Sequence, residues 1–161
     1  MKNIGYDIYD SIIGKLYIVV SDKGVERVTL DEEEFNKYID KNNIKEDKEI
    51  CKETVKQLDE YFNKKRKIFN LPINIETTEF RKSVYNELVK IPYGQTRSYS
   101  DIAKSINNEK AVRAIGQANR LNNIVIIIPC HRVIGKNGKM VGYAGNKISI
   151  KEILLKLEGR L

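Results

Sequence analysis

Apolar and polar positions change period several times along the chain. The runs GKLYIVVS (14–21) and GVERVTL (24–30) are rich in β-branched and aromatic residues and flank the turn cluster Ser21-Asp22-Lys23-Gly24, which predicts a hairpin. Helical spacing follows over 31–40 and 50–62, and 67–75 reads as a strand or extended segment. Further on, Thr78 is placed to cap a helix over 79–90 with Phe80, Val84, Leu88 and Ile91 on one face, and Pro92-Tyr93-Gly94 ends it. Ser98 with an acid three residues later, Asp101, is a capping-box signature. It opens a short helix through Ile106, which Asn107-Asn108 breaks before another helix over 109–121. Five β-branched residues at 124–128 predict a buried strand, which Pro129 stops because it has no N–H for a ladder. Cys130, followed by the chain's only histidine, His131, then stands at a strand end.

The pattern divides into a small N-terminal α/β domain, 1–76, and a second domain, 77–161, giving an α+β protein. Charge divides in the same place: 14 Lys+Arg face 16 Asp+Glu in the first part, and 15 face 6 in the second. A basic half suggests a polyanion as partner, although a merely soluble basic surface has the same composition. Two short helices joined by a tight turn inside that half suggest a helix-turn-helix, winged-helix-like domain, a pairing that many non-binding proteins share. The apolar runs are too short to span a membrane and the N-terminus too polar for a secretory signal, so the sequence reads as cytoplasmic. Its thiols, Cys51 and Cys130, are then expected to be reduced, and Cys51 reads as a half-buried helix residue. The run KKRK at 64–67 reads as solvated. One histidine and two distant cysteines do not make a four-ligand zinc site.

The helix over 109–121 mixes small residues, Ala111, Ala114, Gly116 and Ala118, with polar Arg113, Gln117, Asn119 and Arg120. Small side chains admit a close partner, and arginine and amide groups contact phosphates and bases. A tightly packed internal helix also wants small residues. Glycine inside a helix costs about 1 kcal/mol against alanine, so a close contact should repay Gly116. The Cys130-His131 pair is a nucleophile beside a base. A thiol near pKa 8.5 is mostly protonated at neutral pH, so the chemistry needs that base, itself oriented by a carboxylate. Neighbouring strand residues point to opposite faces. Either the chain bends after Pro129, or a water links thiol and imidazole, or the pair is incidental.

IPCHRV at 128–133 resembles the active-site signature of the O6-alkylguanine-DNA alkyltransferases, the methylated-DNA–protein-cysteine methyltransferases. IPYGQTRSYSDIA, AVRAIGQANRLN, YAG and KLEG resemble other segments of that family in the same order, from Thr78 onward. The resemblance implies that Cys130 accepts the alkyl group, that His131 deprotonates it through a water, and that Glu158 orients the imidazole. Gly159 would cap the helix that carries Glu158. The resemblance also makes Asn122 a hinge asparagine, Tyr99 the residue that turns the nucleotide phosphate and protonates the leaving guanine, and Arg113 the finger that replaces the extruded base. Ala111, Ala114, Ala118, Gln117 and Arg120 would face the minor groove, and Val133, Tyr143, Ala144 and Gly145 would line the base pocket. The implied function is irreversible, single-turnover transfer from O6-alkylguanine in double-stranded DNA, with O4-alkylthymine as a second candidate substrate, by a monomer with no cofactor, no metal and no membrane. Asn123 and Val125 stand where many members have proline, Ala144 where some have serine, and Asn146 where glycine is frequent, which puts the range of bulky alkyl groups in doubt.

Overall fold

A computed structural model describes residues 3–135 and 148–160, with side chains at 148 and 149 excluded. The chain separates into two compact units, Met1–Ile75 and Glu76–Leu161.

In the first unit, β1 (Ile4–Ser11), β2 (Gly14–Ser21) and β3 (Gly24–Thr29) form an antiparallel sheet in the order β1-β2-β3. The hairpin expected around residues 21–24 is β2-β3, with Ser21 opposite Gly24. The segment before the hairpin, to which no element was assigned from sequence, is β1, which pairs along its whole length with β2 from Ile4↔Ser21 to Ser11↔Gly14. Helix α1 (Glu32–Lys41) starts at Asp31, whose side chain accepts from the Glu34 amide, and α2 (Lys48–Phe62) starts at Asp47, which accepts from Glu49 and Ile50. Both caps satisfy amides that have no partner inside the helix. Tyr17, Val19, Phe35 and Ile44 form a buried cluster, with Phe35 edge-on to Tyr6 at 5.3 Å between ring centres. Residues 67–75 are extended rather than a full strand. Two backbone hydrogen bonds tie them to β3, Val25 N to Pro72 O (2.8 Å) and Asn74 N to Val25 O (2.9 Å), and the Asn74 side chain adds one to Glu26 (2.9 Å). Cys51 is fully buried on α2, and burial pushes its thiol up to about 12. A thiol so placed is inert packing.

In the second unit, α3 (Glu79–Leu88) is capped by Thr78 and buries Val84, Tyr85 and Leu88. The two-residue strand β4 (Arg97–Ser98) leads into α4 (Tyr99–Ser105), whose capping box between Ser98 and Asp101 is present in full. Helix α5 (Val112–Arg120) begins three residues later than the pattern implied. Asn107 takes a left-handed conformation (φ +58°) and Ala111 N closes a turn on Asn108 O, so 107–111 is the turn between the helices. After residues 124–132 lie β5 (Val133–Ile134), parallel to β4, and α6 (Ile148–Leu157). Helix α6 ends as a glycine-capped Schellman turn: Gly159 has φ +80°, Gly159 N bonds Lys156 O, and Arg160 N bonds Leu155 O.

The expected strand at 124–128 does not form. All five residues are buried, but the chain folds back on itself, with Ile127 N on Val125 O (2.8 Å) and Ile128 N on Ile124 O (3.0 Å). Ile126 sits at φ +72°, a conformation that costs a β-branched residue about 1–3 kcal/mol. Apolarity was read correctly as burial. What overrode strand propensity is a side chain, Asn122, which satisfies this segment's backbone internally.

Candidate functional site

Asn122 is 7% exposed, two residues past the end of α5. Its Oδ1 accepts from Ile124 N (2.9 Å), and its Nδ2 donates to Ile128 O (3.0 Å) and to Cys130 Sγ (3.1 Å). One amide thus closes the loop and delivers a hydrogen bond to the thiol at its far end. After Pro129 the chain bends into a 3₁₀ turn, Cys130–Arg132, so the two neighbours are not on opposite faces of a strand. Cys130, His131 and Arg132 are all buried in this turn.

Glu158 gathers the rest. His131 Nε2 lies 2.7 Å from Glu158 Oε2. Arg132 donates Nε to Oε1 (2.9 Å) and Nη2 to Oε2 (3.0 Å), and its Nη1 goes to Ile91 O (2.8 Å). The Gly94 amide adds a bond to Oε1 at 3.2 Å. Gly94 has φ +79°, and a side chain there would press on Glu158 O, so the Pro-Tyr-Gly turn that ends α3 also feeds the site. Burial alone would raise the Glu158 carboxyl, but the bonds and charges of His131 and Arg132 hold it far below the usual carboxylate range. His131 is pushed below its ordinary value by burial, against the pull of Glu158. The carboxylate therefore accepts a hydrogen bond from Nε2–H, which makes Nδ1 the basic nitrogen of a neutral ring. Burial pushes the Cys130 thiol up to about 11, while Asn122 and Lys151 act to lower it. At rest it is a thiol, and its use as a nucleophile requires a base.

Tyr99, at the start of α4, is 8% exposed; burial raises its hydroxyl above the ordinary value, and the Asn119 side chain acts against that rise. Asn119 Nδ2 also donates to Cys130 O at 3.4 Å. On α5, Arg113, Ala114, Gln117 and Arg120 are exposed, whereas Ala111 (7%) and Ala118 (0%) are buried. Ala118, assigned to the contact face from its size, lies inside, where its carbonyl accepts from the Tyr85 hydroxyl at 2.7 Å. Asn119, grouped with the polar contact residues, also faces inward. Val133 is fully buried on β5. Tyr143, Ala144, Gly145 and Asn146 lie outside the described residues. Among the described residues, no group of three or more His, Cys, Asp or Glu is placed to hold a metal, and no helix is long and apolar enough to cross a membrane.

Three participants, Gly94, Arg132 and Lys151, carry no site role in the sequence reading, and a fourth, Asn119, is grouped there with the contact residues instead. Two had a visible signal. Asn119 shares a buried helical stripe with Ile115, Ala118 and Asn122, and Lys151 shares one with Leu154, Leu155 and Glu158. A polar residue on an apolar stripe marks a site. Lys151 is fully buried, its Nζ 5.9 Å from the Tyr99 ring centre. Burial lowers its pKa from 10.5 to about 8, partly opposed by Cys130. The unfolded chain therefore binds this proton more tightly, so the penalty is complete below about pH 8 and is relieved as pH rises toward 10.5. Lys151→Met is expected to raise stability at pH 7, because the folded chain holds this proton less tightly than the unfolded one. That advantage should shrink above pH 8, and at any pH the variant's thiol should react more slowly, because Lys151 acts to lower the Cys130 pKa. Melting curves at pH 7 and 10 check the first part; a variant less stable than wild type at pH 7 would refute it.

Chemistry of this kind belongs to proteins that use a cysteine as a nucleophile. Residues 4–75 match the model of the 6-O-methylguanine DNA methyltransferase, ribonuclease-like domain, and residues 79–160 that of the 6-O-methylguanine DNA methyltransferase, DNA binding domain. A methylated-DNA–protein-cysteine methyltransferase of Methanosarcina acetivorans is 46% identical over 154 residues, covering 96% of this chain and 97% of its own. The constitutive enzyme of that name from Bacillus subtilis is 42% identical, covering 95% and 94%. The crystal structure of Mycobacterium tuberculosis O6-methylguanine methyltransferase matches with a TM-score of 0.87 at 36% identity, covering 98% of this chain and 94% of its own. The same organism's OGT in complex with DNA gives 0.84 at 35%, covering 96% and 92%. The chain belongs to the 6-O-methylguanine DNA methyltransferase family.

Proposed function

We propose that this protein repairs duplex DNA by taking the alkyl group from O6-alkylguanine onto Cys130, once per molecule, after the damaged nucleotide is turned out of the stack. The observation that carries this reading is the Asn122-Cys130 and His131-Glu158 arrangement built on one 3₁₀ turn. His131 takes the thiol proton at Nδ1, through a bridging water. The thiolate attacks the alkyl carbon, an S–C bond forms, and the C–O6 bond breaks. The electron pair stays on the purine, which Tyr99 protonates. The product is a thioether, so Cys130 is not regenerated. Extrusion costs a few kcal/mol, less for a damaged pair, which contributes to selectivity. No cofactor enters, because the lesion carries the group.

Duplex DNA as the partner is supported by the exposed face of α5, where Arg113 and Arg120 bracket Ala114 and Gln117. We assign Arg113 to the gap left by the extruded base. Protein packing does not explain Gly116: a Cβ there would meet Tyr99 Cε1 at 4.0 Å, an ordinary contact. Close approach of nucleic acid does explain it. Gly116→Ala is therefore expected to stabilise the protein by about 0.5–1 kcal/mol through helix propensity and to weaken duplex binding. Melting and binding titrations on the same sample check this. Unchanged affinity would remove α5 from the interface at that point. Intact-protein mass after mixing with a duplex containing one O6-methylguanine tests the whole reading; transfer to O4-methylthymine can be read in the same way.

A further inference from the structure

Cys130 is held from one turn at the end of α5. Asn119 Nδ2 donates to the Cys130 carbonyl (3.4 Å), and Asn122 Nδ2 donates to the Ile128 carbonyl (3.0 Å) and to Cys130 Sγ (3.1 Å). The reach of both amides depends on where α5 stops. The commonest local stop signals are missing. Between Gln117 and Ile128 the sequence has neither glycine nor proline, and among the described residues after α5 the first positive φ is at Ile126, well past the helix end. In an unbroken helix the Asn122 N–H would bond the Ala118 carbonyl. Here it bonds Asn119 O at 3.3 Å, and Leu121 N is shared between Gln117 O (3.1 Å) and Ala118 O (3.2 Å), the tightened pattern of a last turn. The place on the Ala118 carbonyl that Asn122 has left is taken from α3, by the Tyr85 hydroxyl at 2.7 Å. A carbonyl can only accept, so the hydroxyl donates. Both residues are buried, Tyr85 at 4% and Ala118 at 0% exposure, so water does not compete for the bond. Burial also pushes the phenol up to about 12, which leaves it a donor at neutral pH.

We propose that Tyr85 is a positioning residue for the nucleophile: its hydroxyl takes the Ala118 carbonyl in place of the Asn122 amide, ends α5 at that point, and so fixes the turn from which Asn119 and Asn122 hold Cys130. The bearing on rate rests on the alkyl-transfer reading; the placement of Asn122 rests on the hydrogen bonds alone. Without the hydroxyl, the Ala118 carbonyl keeps Leu121 N, and the nearest group that can replace the lost donor is the Asn122 N–H. Bonding it would carry Asn122 onward around the helix and draw its side chain away from Sγ. The thiol would then lose a bond that acts to lower its pKa.

The test compares the full chain with Tyr85→Phe, which keeps the ring and removes the hydroxyl. In the free protein, heteronuclear NMR should show the side-chain hydrogens of Asn122 losing the shifts that their bonds to Ile128 O and Sγ give them, and exchanging faster with water. Single-turnover methyl transfer from a saturating O6-methylguanine duplex should slow by about three- to tenfold, the weight of one net hydrogen bond. A tyrosine that served packing alone would lower the melting temperature on its removal and leave both the Asn122 resonances and the rate of the folded protein unchanged, and that result would overturn the inference. Either change without the other would overturn it too. If melting shows that Tyr85→Phe is unfolded, Tyr85→Met, an adaptable apolar side chain with no donor, replaces it under the same expectations. No transfer by the wild type would overturn the alkyl-transfer reading, while the Asn122 resonances would still decide whether Tyr85 places that side chain.

Discussion

Mixed with a duplex carrying a single O6-methylguanine, the wild-type chain is expected to gain one methyl group, mapped to Cys130, and Cys130→Ser to gain none. The substitution removes one polarisable atom and leaves the surrounding bonds available: Asn122 can still donate to a hydroxyl, and His131 and Glu158 are untouched. The Asn122 loop and the α5 face should therefore persist, and duplex binding with them. What is lost is ionisation. A serine hydroxyl is far less acidic than a thiol, so a neutral imidazole cannot generate the attacking anion without an electron-poor substrate. Rate, not affinity, should separate the two proteins. The amount of methyl transferred should also never exceed the amount of protein, because the thioether has no route back. A reduced wild-type thiol that gains no mass while binding persists would make the protein a lesion binder. Asn123 and Val125, in the loop before Cys130, would then be the first residues to revert toward proline.

The second large effect is expected at Glu158. In Glu158→Gln, the Arg132 guanidinium and the His131 ring remain buried while the anion that receives both is gone. The amide can accept at one end only, and its NH₂ end must face a donor. Breaking a buried ion pair on one side costs about 3–5 kcal/mol. For a unit of this size that corresponds to roughly 10 °C or more in melting temperature. Transfer should slow by about a hundredfold, because the imidazole loses the partner that fixes its tautomer and raises its basicity. The pH dependence has a definite sign. The native carboxylate holds its charge to a lower pH than the unfolded one, so its contribution is complete above about 4.5 and is lost as pH falls below that. The wild type's lead over Glu158→Gln should therefore be constant from neutral pH down to about 4.5 and narrow below it. His131, neutral when buried and chargeable when unfolded, makes wild-type stability start to decline already below about 6.5. Denaturation at pH 7 and pH 3 reads both terms. A Glu158→Gln protein that melts with the wild type and transfers at the same rate would remove this carboxylate from the mechanism.

Much of the architecture was legible before any coordinates because it is written locally. The α+β composition, the hairpin at 21–24, the caps at Thr78 and Ser98, and the glycine after Glu158 each depend on residues within a few positions of one another. The ordered motifs from 78 onward pointed to Cys130, His131, Glu158, Asn122 and Tyr99, and the structure places these in one unit. The errors share a cause. The first strand, Ile4–Ser11, went unassigned although Ile4, Tyr6 and Ile8 alternate with Gly5 and Asp7, because its apolar content is low, and it is a strand because β2 supplies hydrogen-bond partners along its whole length. Residues 124–128 have strong strand propensity, yet they form a turn, because the Asn122 side chain offers their backbone a better set of partners than a neighbouring strand does.

By itself, then, the sequence determined the hairpin, the helix caps at Thr78 and Ser98, which half is basic, and which thiol stands beside a base, all of which follow from composition and spacing. Only the tertiary structure decided that the cysteine and histidine share a 3₁₀ turn, that Arg132 and Gly94 join His131 on one carboxylate, and that Asn119 and Lys151 face inward. These are meetings between residues many positions apart. A buried polar group must find a partner wherever the fold provides one, and no local pattern of residues says where that will be.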